Sequence, residues 1–162
     1  MDLLDRLVGH DAWTTRKLFE LCLTLPEEQW DREFEMAHRT LRATFDHIIY
    51  NLEIWTDCMN GHPLRGSRGT SVRELQDRFE LAMSDFQRLA REVRDRHGWD
   101  EPWVDSLDGK QRSYGGAIAH VITHNMHHRA QLLFMMRRLG LENLPEGDVL
   151  SWESQLERPR ED

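Results

Sequence analysis

The sequence predicts an all-α protein, a four-helix bundle with a short hairpin or extended loop before its last helix. Three observations predict it. Four stretches of about 20 residues carry apolar side chains at three- and four-residue spacing. Proline, glycine and a turn dipeptide punctuate the stretches rather than interrupt them. The chain has 162 residues, 39% hydrophobic and 31% charged, which suits one domain that buries a core without disulfides. Helices of that length with short connections pack as a bundle. We assign residues 1–146 to the bundle and 147–162 to an increasingly polar tail, partly disordered toward its last residues, ERPRED.

The first helix is expected from Asp2 to Leu25. Leu3, Leu7, Leu18, Leu21 and Leu25 recur at helical spacing, and Pro26 cannot continue the hydrogen-bond ladder. The second is expected from Thr40 to Asn60, with Gly61 as its stop. A charged, Gly/Pro-containing loop over His62–Thr70 follows. The third helix starts at Ser71, where Ser71 and Glu74 have capping-box spacing, and runs to His97. Its face carries Leu75, Phe79, Ala82, Phe86, Leu89 and Val93. Between Glu101 and Ser113, Asp108-Gly109 suits a two-residue hairpin loop. The fourth helix is expected after Gly115-Gly116, ending near Gly140.

Charge and composition narrow the function. A formal net charge of -8 argues against a nucleic-acid partner, because duplex binding needs a basic face to release counterions. No apolar run is long enough to span a membrane. Asp2 and Asp5 stand where a secretory leader would be basic, so a cytoplasmic location is the expectation. Cys22 and Cys58 make no disulfide framework and read as buried thiols. No Ser-His-Asp arrangement, Cys-x-x-Cys or phosphate-binding glycine loop is present.

Histidine stands out. There are nine, and His120, His124, His127 and His128 fall within nine residues. At about 100° per residue, with His124 as zero, His128 lies at about 40°, among Met135, Val121, Leu139 and Leu132. The pair therefore joins an apolar stripe. His120 and His127 lie at about 320° and 300°, with Thr123, Gln131 and Arg138 on a polar face. Two inward imidazoles four residues apart can converge on one ion, which would meet the cost of burying their nitrogens. A hydrogen-bonded pair without metal fits the same spacing.

A third ligand must come from another helix. On the second helix Arg42, Asp46, Glu53 and Asp57 form a polar arc, and His47 falls on the inward half with Ile54 and Cys58. Cys58 is roughly 16 Å further along the axis and cannot share a site with His47. Asn51, one turn from His47, is a candidate to support it. Taken alone, His47 reads more readily as a core histidine than as a ligand. His10 and His38 have weaker claims, and His62 and His97 sit at loop boundaries.

Residues 120–140, HVITHNMHHRAQLLFMMRRLG, closely resemble the last helix of the DinB-like (YfiT-like) helical-bundle metalloprotein superfamily. TLRATFDHIIYNLEIWTDCMNG, residues 40–61, is similar to its second helix, with a histidine followed eight residues later by tryptophan. DAW at residues 11–13 and the Asp108-Gly109 turn also match. The resemblance covers about residues 2–145, with Ala130 where many members have glycine. It implies a metal held by His47, His124 and His128.

It also implies an activity. Relatives use such a metal to activate a low-molecular-weight thiol, so thiol S-transferase-like chemistry on an electrophilic small molecule is the leading expectation. The alternatives are a non-catalytic metal-binding stress-response module and a metal-dependent hydrolase. Three imidazoles and an open position favour zinc, while nickel, manganese or iron would also accept them. Arg129 and Gln131 match the family motif; Arg129 binds an anionic group or makes a structural ion pair, and the ion pair is favoured. Tyr50 and Trp55 are pocket candidates, with core packing favoured for Trp55. His120 and His127 are candidates for orienting ligands or handling protons. A second apolar strip on the last helix, Ala119, Ile122, Met126, Ala130 and Leu133, suggests a homodimer.

Overall fold

The computed structural model describes residues 1–66 and 69–156. The ERPRED end and part of the His62–Thr70 loop lie outside the described residues. The chain is mostly helical: α1 (Leu3–Cys22), α2 (Leu41–Met59), α3 (Val72–Asp95), the strands β1 (Pro102–Val104) and β2 (Gln111–Ser113), α4 (Tyr114–Arg138) and α5 (Val149–Leu156). A 3-10 turn at Glu27–Asp31 follows α1. No described helix is long and apolar enough to cross a membrane. The chain divides into two compact units, residues 1–44 with 126–162, and residues 45–125. Both α2 and α4 run unbroken through the boundaries.

In the first unit α1 opens on a capping box. Asp2 accepts from the Asp5 backbone N–H at 2.9 Å, and the Asp5 carboxylate accepts from that of Asp2. Val8, Ala12, Leu18, Phe19 and Cys22 are buried. α2 is started by Thr40, whose hydroxyl oxygen accepts from Ala43 N at 3.1 Å. The tail expected after residue 146 contains an element the sequence reading lacks, α5, which packs on α1. Trp152 is buried, Arg6 pairs with Glu153 at 2.7 Å, and His10 Nε2 donates to the Gly147 carbonyl at 2.9 Å. A Cβ at Gly9 would lie 2.5 Å from the Trp152 ring, so glycine is what lets the indole seat there.

In the second unit Ser71 and Glu74 form the expected capping box on α3, and Leu75, Phe79, Ala82, Phe86, Leu89 and Val93 are all buried. The polar arc of α2 is only partly wet. Glu53 and Asp57 are buried, bonded to Arg78 at 2.9 Å and Arg65 at 2.9 Å. Arg78 also takes Asp46, and Arg65 takes Asp85 on α3. Each buried carboxylate thus has a guanidinium, which is what its desolvation requires.

The hairpin differs from the expected two-residue loop. Val104 pairs with Gln111, leaving six residues, 105–110, in the connection. Side chains close it: Asp105 accepts from Leu107 N and Asp108 from Lys110 N, while Gly109 takes a left-handed φ of 71°. α4 then begins at Tyr114, before the two glycines rather than after them. Ser113 caps it by accepting from Gly116 N at 3.2 Å. A Cβ at Gly115 would stand 3.0 Å from the Trp99 carbonyl, which explains a glycine in a first helical turn. On the outer strip of α4, Ile122 and Leu133 are buried while Ala119, Met126 and Ala130 are exposed.

Candidate metal centre

The histidines of α4 follow the helical azimuths. His128 is 5% exposed and His124 half-buried, while His120 and His127 are exposed. His124 and His128 stand one turn apart on an unbroken helix.

In the second unit His47 of α2 meets His124. Their Nε2 atoms are 3.3 Å apart, with ring centroids at 4.9 Å. Two nitrogens each about 2.05 Å from a tetrahedral zinc would be about 3.3 Å from one another. The pair therefore fits two ligands of one ion, and fits equally a direct N–H···N bond. The His120 ring lies 5.3 Å from His124 and 4.9 Å from Trp55, so three imidazoles and an indole run along this side. Burial, with the charge of Arg112 beside it, lowers the pKa of His120.

Asn51 does not reach for His47 through the bond it makes here. Its amide donates to Asn125 Oδ1 at 3.0 Å, tying α2 to α4 with both side chains buried. Tyr50 is 47% exposed. Trp55 is half-buried rather than core and lines a cleft of about 480 Å³ with Gln111, Arg112, Ser113, Gly116, Ala117 and His120.

In the first unit His128 is held by its neighbours. The two ring nitrogens of a neutral imidazole differ, and the bond at one decides what the other offers. Here Gln131 Oε1 is 2.9 Å from His128 Nδ1, so Nδ1–H donates and Nε2 keeps its lone pair. The Gln131 amide in turn donates to His127 Nε2 at 3.1 Å. Support of this kind orients metal-binding histidines. Burial lowers the pKa of His128, the neighbouring His38 and His127 adding to the effect and the Gln131 bond opposing it.

His38, to which the sequence gives a weaker claim, also lies beside His128. Its ring is edge-on to His128 at 5.0 Å. It sits before α2 with a left-handed φ of 62°, followed by Arg39 at 53°. Asn, Asp and His tolerate that region better than most residues. Outside any helix it has no azimuth, so periodicity could not have placed it.

Arg129 turns away from ligand duty. It pairs with Asp11, and both side chains are almost fully buried. Burial pushes its guanidinium down to about 10, which still leaves it charged at neutral pH. Asp11 belongs to the DAW segment of α1, so two motif elements meet as one buried ion pair.

The sequence profile of the DinB family matches residues 1–158. The fold is similar to a solved DinB-like protein from Bacillus subtilis, with a TM-score of 0.68 and 14% identity over 88% of this chain and 96% of that one. It is also similar to a structure from Exiguobacterium sibiricum assigned to the DinB family, with a TM-score of 0.65 and 24% identity over 90% of this chain and 95% of that one. At these identities the likeness is one of fold. No curated protein matches the chain. The profile match extends over nearly the whole sequence, and on that match the chain belongs to the DinB family.

Proposed function

We propose that this protein binds one divalent metal ion through His47, His124 and His128 and uses it in thiol S-transferase-like chemistry on a small electrophile. The observation that carries the reading is the opposed Nε2 pair of His47 and His124 at 3.3 Å, the separation a tetrahedral zinc asks of two ligands. Metal binding has a second support, in a different set: His38, His47 and His128 could together hold a metal, with His38 standing where the proposal has His124. His38 is therefore a fourth candidate beside the three that family resemblance implies.

An ion with imidazole ligands and an open position would supply a bound thiol or water of lowered pKa as nucleophile. The residues of the chain prepare that position. Gln131 accepts from His128 Nδ1–H, so Nε2 would be the atom His128 offers an ion. Asn51 and Asn125 fix the spacing of α2 and α4 close to the His47–His124 pair. The cleft lined by His120, whose ring is 5.3 Å from that of His124, would give a small molecule a place on this side.

The test is metal content by elemental analysis, on wild type and on His47→Ala, His124→Ala, His128→Ala and His38→Ala. We expect about one equivalent in wild type, as in other single-ion histidine sites, and loss in the first three variants while helical circular dichroism survives. Retention in His38→Ala would leave three ligands; loss there would make four. Wild type that takes up no metal after reconstitution with zinc, nickel, manganese and iron would end the reading. With metal bound, thiol-dependent turnover of an electrophile panel that disappears in His128→Ala would establish the transferase.

A further inference from the structure

We propose that the cleft between Trp55, Arg112 and His120 binds a planar small molecule carrying a carboxylate, with the flat group against the Trp55 indole and the carboxylate on Arg112. The cleft encloses about 480 Å³, within the usual range for small-molecule sites.

Its chemistry is one-sided. The chain has 29 acidic and 21 basic residues, yet among the described residues no carboxylate lines this cleft. The lining offers the Arg112 guanidinium, the Gln111 amide, the Ser113 hydroxyl and the His120 ring. Gly116 and Ala117 bring the first turn of the 25-residue α4, the positive end of its dipole.

Arg112 is aimed in advance. Its Nε donates to Asp105 at 2.7 Å and its Nη2 to Asp108 at 3.0 Å. Asp105 is 1% exposed and itself anchored in the hairpin connection. Among the described residues nothing bonds Nη1. A planar guanidinium clamped along one edge keeps the other for an incoming acceptor with little rotamer entropy left to lose. Because Asp105 and Asp108 already match its charge, recognition comes from directed N–H groups more than from bulk attraction.

The aromatic wall is equally set. The Arg112 Cζ lies 5.5 Å from the Trp55 ring centroid, Trp103 meets Trp55 edge-on at 6.2 Å, and the tilted His120 ring is 4.9 Å from it. These contacts hold the indole in one orientation, and its half-exposed part faces the cleft. The sequence did not single out this site, because Arg112 lies on β2, outside the histidine motif that begins at His120.

As a substrate site the cleft rests on the proposed function, since His120 leads to His124. As a binding site it stands without the metal, and the experiment separates the two. Benzoate, benzamide and acetate are titrated into the full chain, with the Trp55 indole N–H resonance, assigned through Trp55→Phe, as the readout. We expect benzoate to shift that resonance and to bind at least about fivefold tighter than benzamide, a gap of the size one directed charged contact gives, and tighter than acetate, which has the carboxylate without the flat ring. Arg112→Gln should erase the gap between benzoate and benzamide. Gln111→Glu, which leaves the Arg112 clamp intact, should abolish benzoate binding and keep benzamide. Equal affinity for benzoate and benzamide, or no shift at Trp55, would overturn the proposal. So would benzoate binding that vanishes on chelation, because the carboxylate would then be a metal ligand and only the metal reading would survive. Benzoate binding in a protein that takes up no metal would leave the cleft standing and remove the metal.

Discussion

The two halves of α4 treat their histidines differently. In the half that belongs to the second unit, His124 faces His47 and touches His120, beside a cleft with room for a small molecule. In the half that belongs to the first unit, His128 is nearly buried, bonded to Gln131 and flanked by His38 and His127. The next residue, Arg129, is sealed against Asp11. One half is open and made of rings in contact; the other is closed and made of hydrogen bonds and an ion pair. A ligand set needs both properties: a fixed donor to define the position, and an accessible side on which something can react.

The largest expected effect lies in the closed half. Asp11→Ala leaves the Arg129 charge buried without its partner, which should cost about 3–5 kcal/mol of stability. Denaturant unfolding checks it, and the double variant Asp11→Leu/Arg129→Met should recover most of the loss. A loss below about 1 kcal/mol in the single variant, the size of an exposed pair, would show that this half is not sealed.

A smaller effect separates the halves directly. Gln131→Ala frees the His128 ring and its tautomer, so metal affinity should fall about 10–100-fold with the fold intact. Asn51→Ala loosens the α2–α4 tie without touching a ligand nitrogen, so its effect on affinity should stay within about threefold while stability falls by about 1 kcal/mol. Competition with a chromophoric chelator reads both, and equal losses would dissolve the distinction.

The smallest effect is a pH dependence. Burial, together with the charge of Arg129, lowers the pKa of His10 below its ordinary 6.5, against the opposing pull of the Gly147 carbonyl and Asp148. The unfolded chain therefore takes up the proton first. Stability from this group is complete above about pH 6.5 and falls as pH drops through that value toward the folded pKa. His10→Asn, which keeps a donor for Gly147, should flatten that part of the stability profile relative to wild type.

The helices were legible because burial imposes a period. Leu75 to Val93 mark the inner face of α3, and the same arithmetic separated His124 and His128 from His120 and His127. What escaped has no period. α5 is eight residues long and anchored by one tryptophan, too short for an amphipathic signal. The hairpin loop looked like a two-residue turn because Asp108-Gly109 has that local preference, but Asp105 and Asp108 also bond backbone N–H groups and widen the loop to six. His38 and Arg112 sit on a loop and a strand, where a helical period cannot place them, and the rings they meet, His128 and Trp55, come from distant sequence.

The seat that Gly9 leaves for Trp152 has a consequence for how the chain can be shortened. A boundary at residue 146, the natural place to cut by composition, would leave α1 with an indole-shaped notch at Gly9. It would also strip His10 of its acceptor and Arg6 of its counter-charge. The last helix works as a plug in a socket moulded on the first one, so trimming from residue 147 removes the clasp between α5 and α1.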